Sequence, residues 1–504
     1  MNKKKHQSLK PTIIMKQRSK HFAVKTILIG LFIQLITITV SFGQTKTEQI
    51  DKLMNLYSEY GQFNGSILVA DAGKVIYKKG FGMANMEWNI PNQSDTKHRL
   101  GSVTKQFTAV LIVQLVEQGK LKLDAPISTY LPDYPKASGD KITIHHLLTH
   151  TSGIPNYTSF PNFVKDLSIN PYSPEAFVKK FADLPLEFTP GEKFAYSNSG
   201  YFLLGYIIEK VSGKTYEQSL QDNILTPLKM NNTGFDHHET ILKNRASGYE
   251  KNGKNFINAS YLDLSIPYAA GSLYSTVDDL YLWDQALYTE QLLSKKNKEL
   301  LFNSYIPAGP GHYGYGWFIN KAFNGEKNDS ITVIEHGGGI NGFNTLFSQI
   351  PSEKNLVVLL NNTGGTNLNE MNKAIRNILY NKPYSLPKKS LATAFVDVIL
   401  EKGIAPGLTY FNENKNSNTY AVNENEMNSA GYQLLQTGKV KEAIEVFKLN
   451  VEAFPKSGNA YDSLGEAYLK NGDKKLAIIN YKKSIELDPN NENGKKVLEE
   501  LSKS

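Results

Sequence analysis

The chain has 504 residues, 40% of them hydrophobic and 21% charged, with no cysteine, a net charge of +8 and a pI near 9.0. The length predicts more than one folded unit, and the lack of cysteine excludes disulfides, thiolate metal sites, a Cys nucleophile and a lipid anchor on Cys. Residues 1–43 hold seven Lys, one Arg and no acid, so the rest of the chain is balanced; a nucleic-acid partner, which needs a basic surface on the folded body, is excluded.

The basic leader runs into an apolar stretch, Thr26 to Val40, followed by the small residues Ser41 and Gly43. That order is a secretory signal's; an uncleaved anchor is the alternative, and it would be the chain's one route to a membrane. Polar Gln34 and the threonines of the run favour cleavage, so residues 1–43 are expected to direct export to the periplasm or beyond.

Next, Gly65–Ala70 and Lys74–Gly80 flank Gly73 as two β-rich runs of a hairpin. After Ser102, apolar residues from Phe107 to Val116 recur at helical spacing, and a second helix carries Phe202 to Val211 and stops near Gly213. Strand patterns return at Gly314–Ile319, Ile331–Glu335, Thr345–Ile350 and Leu356–Leu360, with a closing helix through Ala374 and Leu379. An N-terminal hairpin plus C-terminal strands with helices between predicts an α+β fold, a mixed sheet flanked by helices with a helical subdomain.

Beyond Pro387 come two short helices and an Asn-rich stretch, and then a period of 34: Gly431/Gly465, Gly438/Gly472, Ala443/Ala477, Phe447/Tyr481 and Pro455/Pro489. Small, aromatic and Pro residues at that period mark tetratricopeptide repeats, a surface for a protein or peptide partner. Two repeats rarely stand alone, so the helices at 388–410 are expected to pack as a degenerate preceding unit. The expected organisation is a leader at 1–43, a catalytic domain at 44–385, a helical linker or degenerate repeat at 386–423 and repeats at 424–504.

Three motifs carry the chemistry. In Ser102-Val103-Thr104-Lys105, nucleophile and amine sit one helical turn apart, behind Gly101, at a helix start whose free N–H groups favour negative charge. Tyr196-Ser197-Asn198 offers a phenol whose pKa a nearby Lys could lower, and an amide that both donates and accepts. His336-Gly337-Gly338-Gly339 leads into Asn341-Gly342, where a strand and not a helix follows, which excludes a dinucleotide fold; glycines on a sheet edge instead expose an N–H to an oxyanion. His146 and His150, four apart, and the adjacent His237 and His238 lack a third ligand and read as structural. No cofactor or metal is called for.

In this order the motifs resemble the serine β-lactamase and penicillin-binding protein superfamily, nearest its class C-related hydrolases. Leu147-Leu148-Thr149-His150-Thr151-Ser152-Gly153, Ala270-Gly271-Ser272-Leu273-Tyr274-Ser275-Thr276 and Tyr315-Gly316-Trp317 extend the resemblance over roughly residues 50–380. The resemblance implies Ser102 as acylated nucleophile, Lys105 and Tyr196 as proton handlers, and Asn198 as substrate orienter. It further implies His336 at the Lys/His position, with the strand glycines Gly338 and Gly339 beside the substrate and the N–H groups of Ser102 and Gly339 as oxyanion hole. The implied activity is hydrolysis of an amide or ester in a small or peptide substrate, a D-amino-acid peptide first; an esterase, a β-lactamase or a retired scaffold of the same fold is the alternative. A His where lactamases carry Lys makes the positive charge there conditional, with activity expected to follow the histidine's titration.

Overall fold

The computed structural model describes residues 44–252, 255–323 and 330–503; the leader and apolar run at 1–43 lie outside the described residues. Among the described residues no helix is long and apolar enough to cross a membrane.

Helix α1 (Lys46–Glu59) precedes the hairpin of β1 (Gly65–Asp71) and β2 (Lys74–Phe81), and the chain then leaves the sheet for a long helical excursion. Its main elements are α2 (Thr104–Glu117), α3 (Asn198–Ser212) and α4 (Val277–Leu287). The chain returns as β3 (Ile306–Ala308), β4 (Gly311–Tyr313), β5 (Phe318–Phe323), β6 (Ser330–Ile340), β7 (Phe343–Ile350) and β8 (Asn355–Asn361), then α5 (Leu368–Leu379). These form one eight-stranded sheet, ordered β3-β4-β5-β6-β7-β8-β1-β2, with every pairing antiparallel. The last strand pairs with the first, Gly65 opposite Asn361, so the sheet closes over the excursion.

Central strands buried on both faces read as unbroken apolar runs, and successive side chains go to opposite sides. Leu68 and Ala70 of β1 and Leu356, Val358 and Leu360 of β8 join the core under α2 and α3. Ile67, Val69, Val357 and Leu359 join the second core, with Ile50, Leu53 and Met54 of α1 and Met371, Ile375 and Ile378 of α5. Helix α2 is buried all round from Thr104 to Val113, the behaviour of a helix enclosed by protein. Phe107 stacks on Trp283 of α4 at 4.2 Å.

One expected strand starts later than its pattern suggested. Residues 314–317 form a turn in which the Gly314 N–H donates to the Trp317 carbonyl (2.8 Å), and the strand begins at Phe318. Gly316 has φ +84°, and a Cβ there would meet the Lys105 carbonyl oxygen at 2.8 Å, so packing against α2 bends the chain.

Past α5 the chain is helical: α6 (Leu391–Lys402), α7 (Ile404–Asn414), α8 (Glu424–Gln436), α9 (Val440–Ala453), α10 (Gly458–Lys470), α11 (Lys474–Leu487) and α12 (Glu492–Ser502). Phe395, Val396 and Phe411 of the α6–α7 hairpin share one core with Met427, Leu434, Phe447 and Leu464 of the repeats. The repeated residues pack as the period implies: a Cβ on Gly431 would strike the Phe447 ring, and Gly465 faces Tyr481 in the same way.

Candidate active site

Ser102 sits half-buried in a single 3-10 turn, Gly101–Val103, that runs straight into α2. Gly101 has φ +53°, and a Cβ on it would lie 2.9 Å from both the backbone N and O of Gly339, so the turn lies flat against β6. Gly338 is locked from the other side: a Cβ there would overlap the Leu100 carbonyl oxygen, which accepts a hydrogen bond from Thr345 Oγ1 (2.7 Å). Gly339 is exposed and nearly clear of neighbours. Strand β6 meets β5 only as far as Glu335, so residues 336–340 are paired with β7 alone and their free edge faces the Ser102 turn. The Asn341-Gly342 turn, Gly342 at φ +76°, returns the chain as β7.

Lys105 is fully buried. Its Nζ lies 2.9 Å from Ser102 Oγ, 2.8 Å from Asn198 Oδ1 and 2.9 Å from the Ala270 carbonyl oxygen. That carbonyl belongs to the helical turn Tyr268–Gly271, held to α2 by Thr108 Oγ1 donating to the Ala269 oxygen (2.6 Å). Burial holds the Lys105 amine well below the usual lysine range, since no carboxylate offsets the loss of water. Two of the three polar neighbours are carbonyl oxygens that can only accept. A neutral amine satisfies both with its two hydrogens and turns its lone pair to Ser102 Oγ.

Tyr196, Ser197 and Asn198 arrive on an extended segment that becomes the first turn of α3. The Asn198 N–H donates to Asn156 Oδ1 (3.1 Å), and Ser197 Oγ donates to the Ile154 oxygen (3.1 Å). The Tyr196 ring lies 4.9 Å from Lys105 Nζ and its hydroxyl bonds to Ser102. The expected lowering of this phenol's pKa does not occur. Burial pushes it well above the ordinary tyrosine range.

His336 also departs from expectation. Its side chain is 2% exposed, with Nε2 3.0 Å from the Tyr313 hydroxyl and Nδ1 2.6 Å from the Gly337 oxygen. Burial pulls its pKa down to about 3, so it is neutral where the sequence suggested a titrating charge. His150, read from sequence as merely structural, lies beside it in this network, its ring 4.2 Å from that of Tyr196. The helix Ile144–Leu148 ends before His150, which has φ +57°, so His146 and His150 do not share a helical face. His146 instead caps that helix, its Nδ1 accepting from the Thr143 N–H (3.2 Å). His237 bonds Glu217 and His238 the Leu262 oxygen.

Sequence reasoning therefore passed over Ala270, Asn156, His150 and Tyr313. Ala270 and His150 stood inside phrases of the resemblance; Tyr313 and Asn156 carried no signal of their own.

Residues 48–380 match the β-lactamase family. The chain belongs to that family. This β-lactamase-family protein is 31% identical over 402 residues to penicillin-binding protein 4* of Bacillus subtilis, covering 73% of this chain and 87% of that one. It is 30% identical over 344 residues to a teichoic acid D-alanine hydrolase of Staphylococcus aureus, covering 68% and 80%. A crystal structure of a penicillin-binding protein from Bacillus halodurans superposes with a TM-score of 0.58 at 29% identity, covering 65% of this chain and 99% of that one. Residues 458–491 match the tetratricopeptide repeat. The protein is a serine hydrolase of the β-lactamase and penicillin-binding fold, followed by helical repeats.

Proposed function

We propose that this serine hydrolase is exported and removes a D-amino acid, D-alanine first, from an amide or ester through an acyl-enzyme on Ser102. The observation that carries the mechanism is the Lys105 amine, 2.9 Å from Ser102 Oγ with its other two polar contacts on carbonyl oxygens. The Lys105 lone pair takes the Ser102 proton as Oγ attacks the substrate carbonyl carbon. The N–H groups of Ser102 and Gly339 hold the resulting oxyanion on the free edge of β6. Tyr196, kept protonated by burial, passes its proton to the leaving amine or alcohol and is reprotonated by the proton that Lys105 took from Ser102. Water then repeats the sequence on the acyl-enzyme. Asn198, whose oxygen is engaged by Lys105, keeps its amide hydrogens for the substrate carbonyl.

The substrate class rests on His336. A buried neutral imidazole supplies no fixed cation for a substrate carboxylate, which a penicillin or a D-Ala-D-Ala terminus would present. A D-alanyl ester or amide needs none, and the teichoic acid D-alanine hydrolase relative supports that choice. Export is supported by the basic leader and apolar run, and a peptide or protein partner on residues 424–504 by the repeat match.

The test is a substrate panel on purified residues 44–504: a D-alanyl ester, a D-alanine anilide, a D-Ala-D-Ala peptide and a cephalosporin, each with wild type and Ser102→Ala. The D-alanyl ester is expected to turn over best, and Ser102→Ala to lose both turnover and labelling by an acylating probe. Wild-type turnover by Ser102→Ala would end the covalent mechanism, and preference for the carboxylate-bearing substrates would end the assignment of substrate.

A further inference from the structure

Behind the site, three side chains that touch no part of the reacting constellation's free face form a continuous hydrogen-bonded line. His150, Tyr313 and His336 are 1%, 0% and 2% exposed. The Ser197 N–H lies 3.1 Å from His150 Nδ1, His150 Nε2 lies 3.2 Å from the Tyr313 hydroxyl, and that hydroxyl lies 3.0 Å from His336 Nε2. His336 Nδ1 completes the line at the Gly337 oxygen, 2.6 Å away.

The two ends fix every proton between them. A backbone N–H can only donate, so His150 Nδ1 accepts and its Nε2 carries hydrogen, donated to Tyr313. A carbonyl oxygen can only accept, so His336 Nδ1 carries hydrogen and its Nε2 accepts, taking the Tyr313 hydroxyl proton. Tyr201, next to Tyr313, gives its own proton to the Leu148 oxygen (2.9 Å), so it does not donate to Tyr313 and reverse the line. Only one pair of tautomers, both neutral, satisfies all four bonds. The ionisable groups nearest the line are Lys105, whose hold on its proton burial loosens, and Tyr196 and Tyr201, which burial holds protonated, so nothing beside it favours a second charge.

The line also joins the two walls of the site. At one end it holds the segment bearing Tyr196 and Asn198 by its middle residue; at the other it holds β6 two and three residues before Gly338 and Gly339. We propose that His150, Tyr313 and His336 are positioning residues, a strut of fixed proton polarity that sets the gap between the Tyr196 phenol and the Gly339 N–H. This rests on the Ser102 acyl-transfer reading. It accounts for the left-handed backbone of His150, a strained conformation for a non-glycine that persists where surrounding structure demands it. It also accounts for His at 336, since a lysine there could only donate toward Tyr313 and would leave that hydroxyl proton without its acceptor.

The full chain labelled with 15N-histidine tests the strut directly. Long-range 1H–15N spectra are expected to show His150 as the Nε2–H tautomer and His336 as the Nδ1–H tautomer. Tyr313→Phe, which keeps the ring and removes the bridging hydroxyl, is expected to lower kcat by roughly tenfold to a hundredfold while KM moves less than about threefold, as displacement of reacting groups does. His336→Gln, whose amide oxygen can accept from Tyr313, is expected to keep at least roughly tenfold more kcat than His336→Lys. The opposite tautomer at either histidine, or a Tyr313→Phe kcat within about twofold of wild type, overturns the strut. Should Tyr313→Phe fail to fold, the wild-type tautomers still decide. Failure of the acyl-transfer reading shows separately, as turnover that survives Ser102→Ala.

Discussion

Two buried charge carriers far apart in the chain are handled in opposite ways. Asp236, 1% exposed, is paired twice over: Arg99 Nε and Arg245 Nη1 each lie 2.7 Å from one of its oxygens. Lys105, fully buried, has no carboxylate beside it, and burial loosens its hold on the proton instead. A carboxylate clamped by two guanidiniums has its lone pairs occupied and serves to hold Arg99, three residues before Ser102, to the segment at 236–245. An amine neutralised by proton loss keeps a lone pair for chemistry. Pairing makes a structural joint; desolvation makes a base.

The comparison breaks most sharply at Lys105. Lys105→Ala is expected to lower kcat/KM by about a hundredfold to ten-thousandfold, the range for a general base, while the denaturation midpoint falls by less than the break of a buried ion pair costs, since only the hydrogen bonds to the Asn198 and Ala270 oxygens are lost. A matching loss of stability in urea titrations would show that the amine is a joint after all. Asp236→Ala should do the reverse: a loss of about 3–5 kcal/mol, since two guanidiniums are left unpaired, with kcat/KM per folded molecule within about threefold of wild type.

A weaker effect comes from the histidines, which are also buried and neutral. Burial holds His98 down to about 4 and His336 to about 3, and lowers His150 as well. A histidine whose folded pKa is depressed adds stability that is complete above its unfolded value, about 6.5, and lost as pH falls toward the folded one. Asp284, raised to about 7 by burial, works the other way, adding stability at low pH that is lost as pH rises through 7. Burial also lowers His145 and His146 and raises Asp279 and Asp462, and five histidines against three aspartates make acid the losing side between about pH 6.5 and 4, by on the order of 1 kcal/mol per pH unit for each unbalanced proton. Urea midpoints at pH 7 and pH 5 check this, and an equal or higher midpoint at pH 5 would refute it. The smallest effect belongs to removal of residues 386–504. Both halves of the comparison lie before that cut, so kcat/KM of the truncated chain is expected to stay within about tenfold of wild type.

Much of this was legible in the residues alone. Spacing put Ser102 and Lys105 on one helical turn, alternation and apolar runs marked β1, β7 and β8, and the period of 34 marked the repeats before any helix was seen. What sequence concealed was environment. The reading of His336 as a switch assumed an exposed imidazole, and that of Tyr196 as a lowered phenol a charged lysine beside it, and only the packing of Tyr313, Phe318 and Lys105 shows both side chains enclosed. Tyr313 gave no sign because its work is done across 23 residues to His336 and 163 to His150, distances no local pattern carries.

The closure of the sheet by β8 on β1 has a kinetic consequence. Ser66 pairs with Leu360, so neither core of the catalytic body can be completed until nearly three hundred intervening residues have been laid down and their ends brought together. The repeats contrast with this, each helix packing chiefly on its sequence neighbour. Contact order then predicts that α8 to α11 fold fast and early relative to their own synthesis, while the β1–β8 pairing is the slow step. A chain stalled or cut before residue 355 lacks the partner strand altogether and leaves β1 with an open edge that invites aggregation.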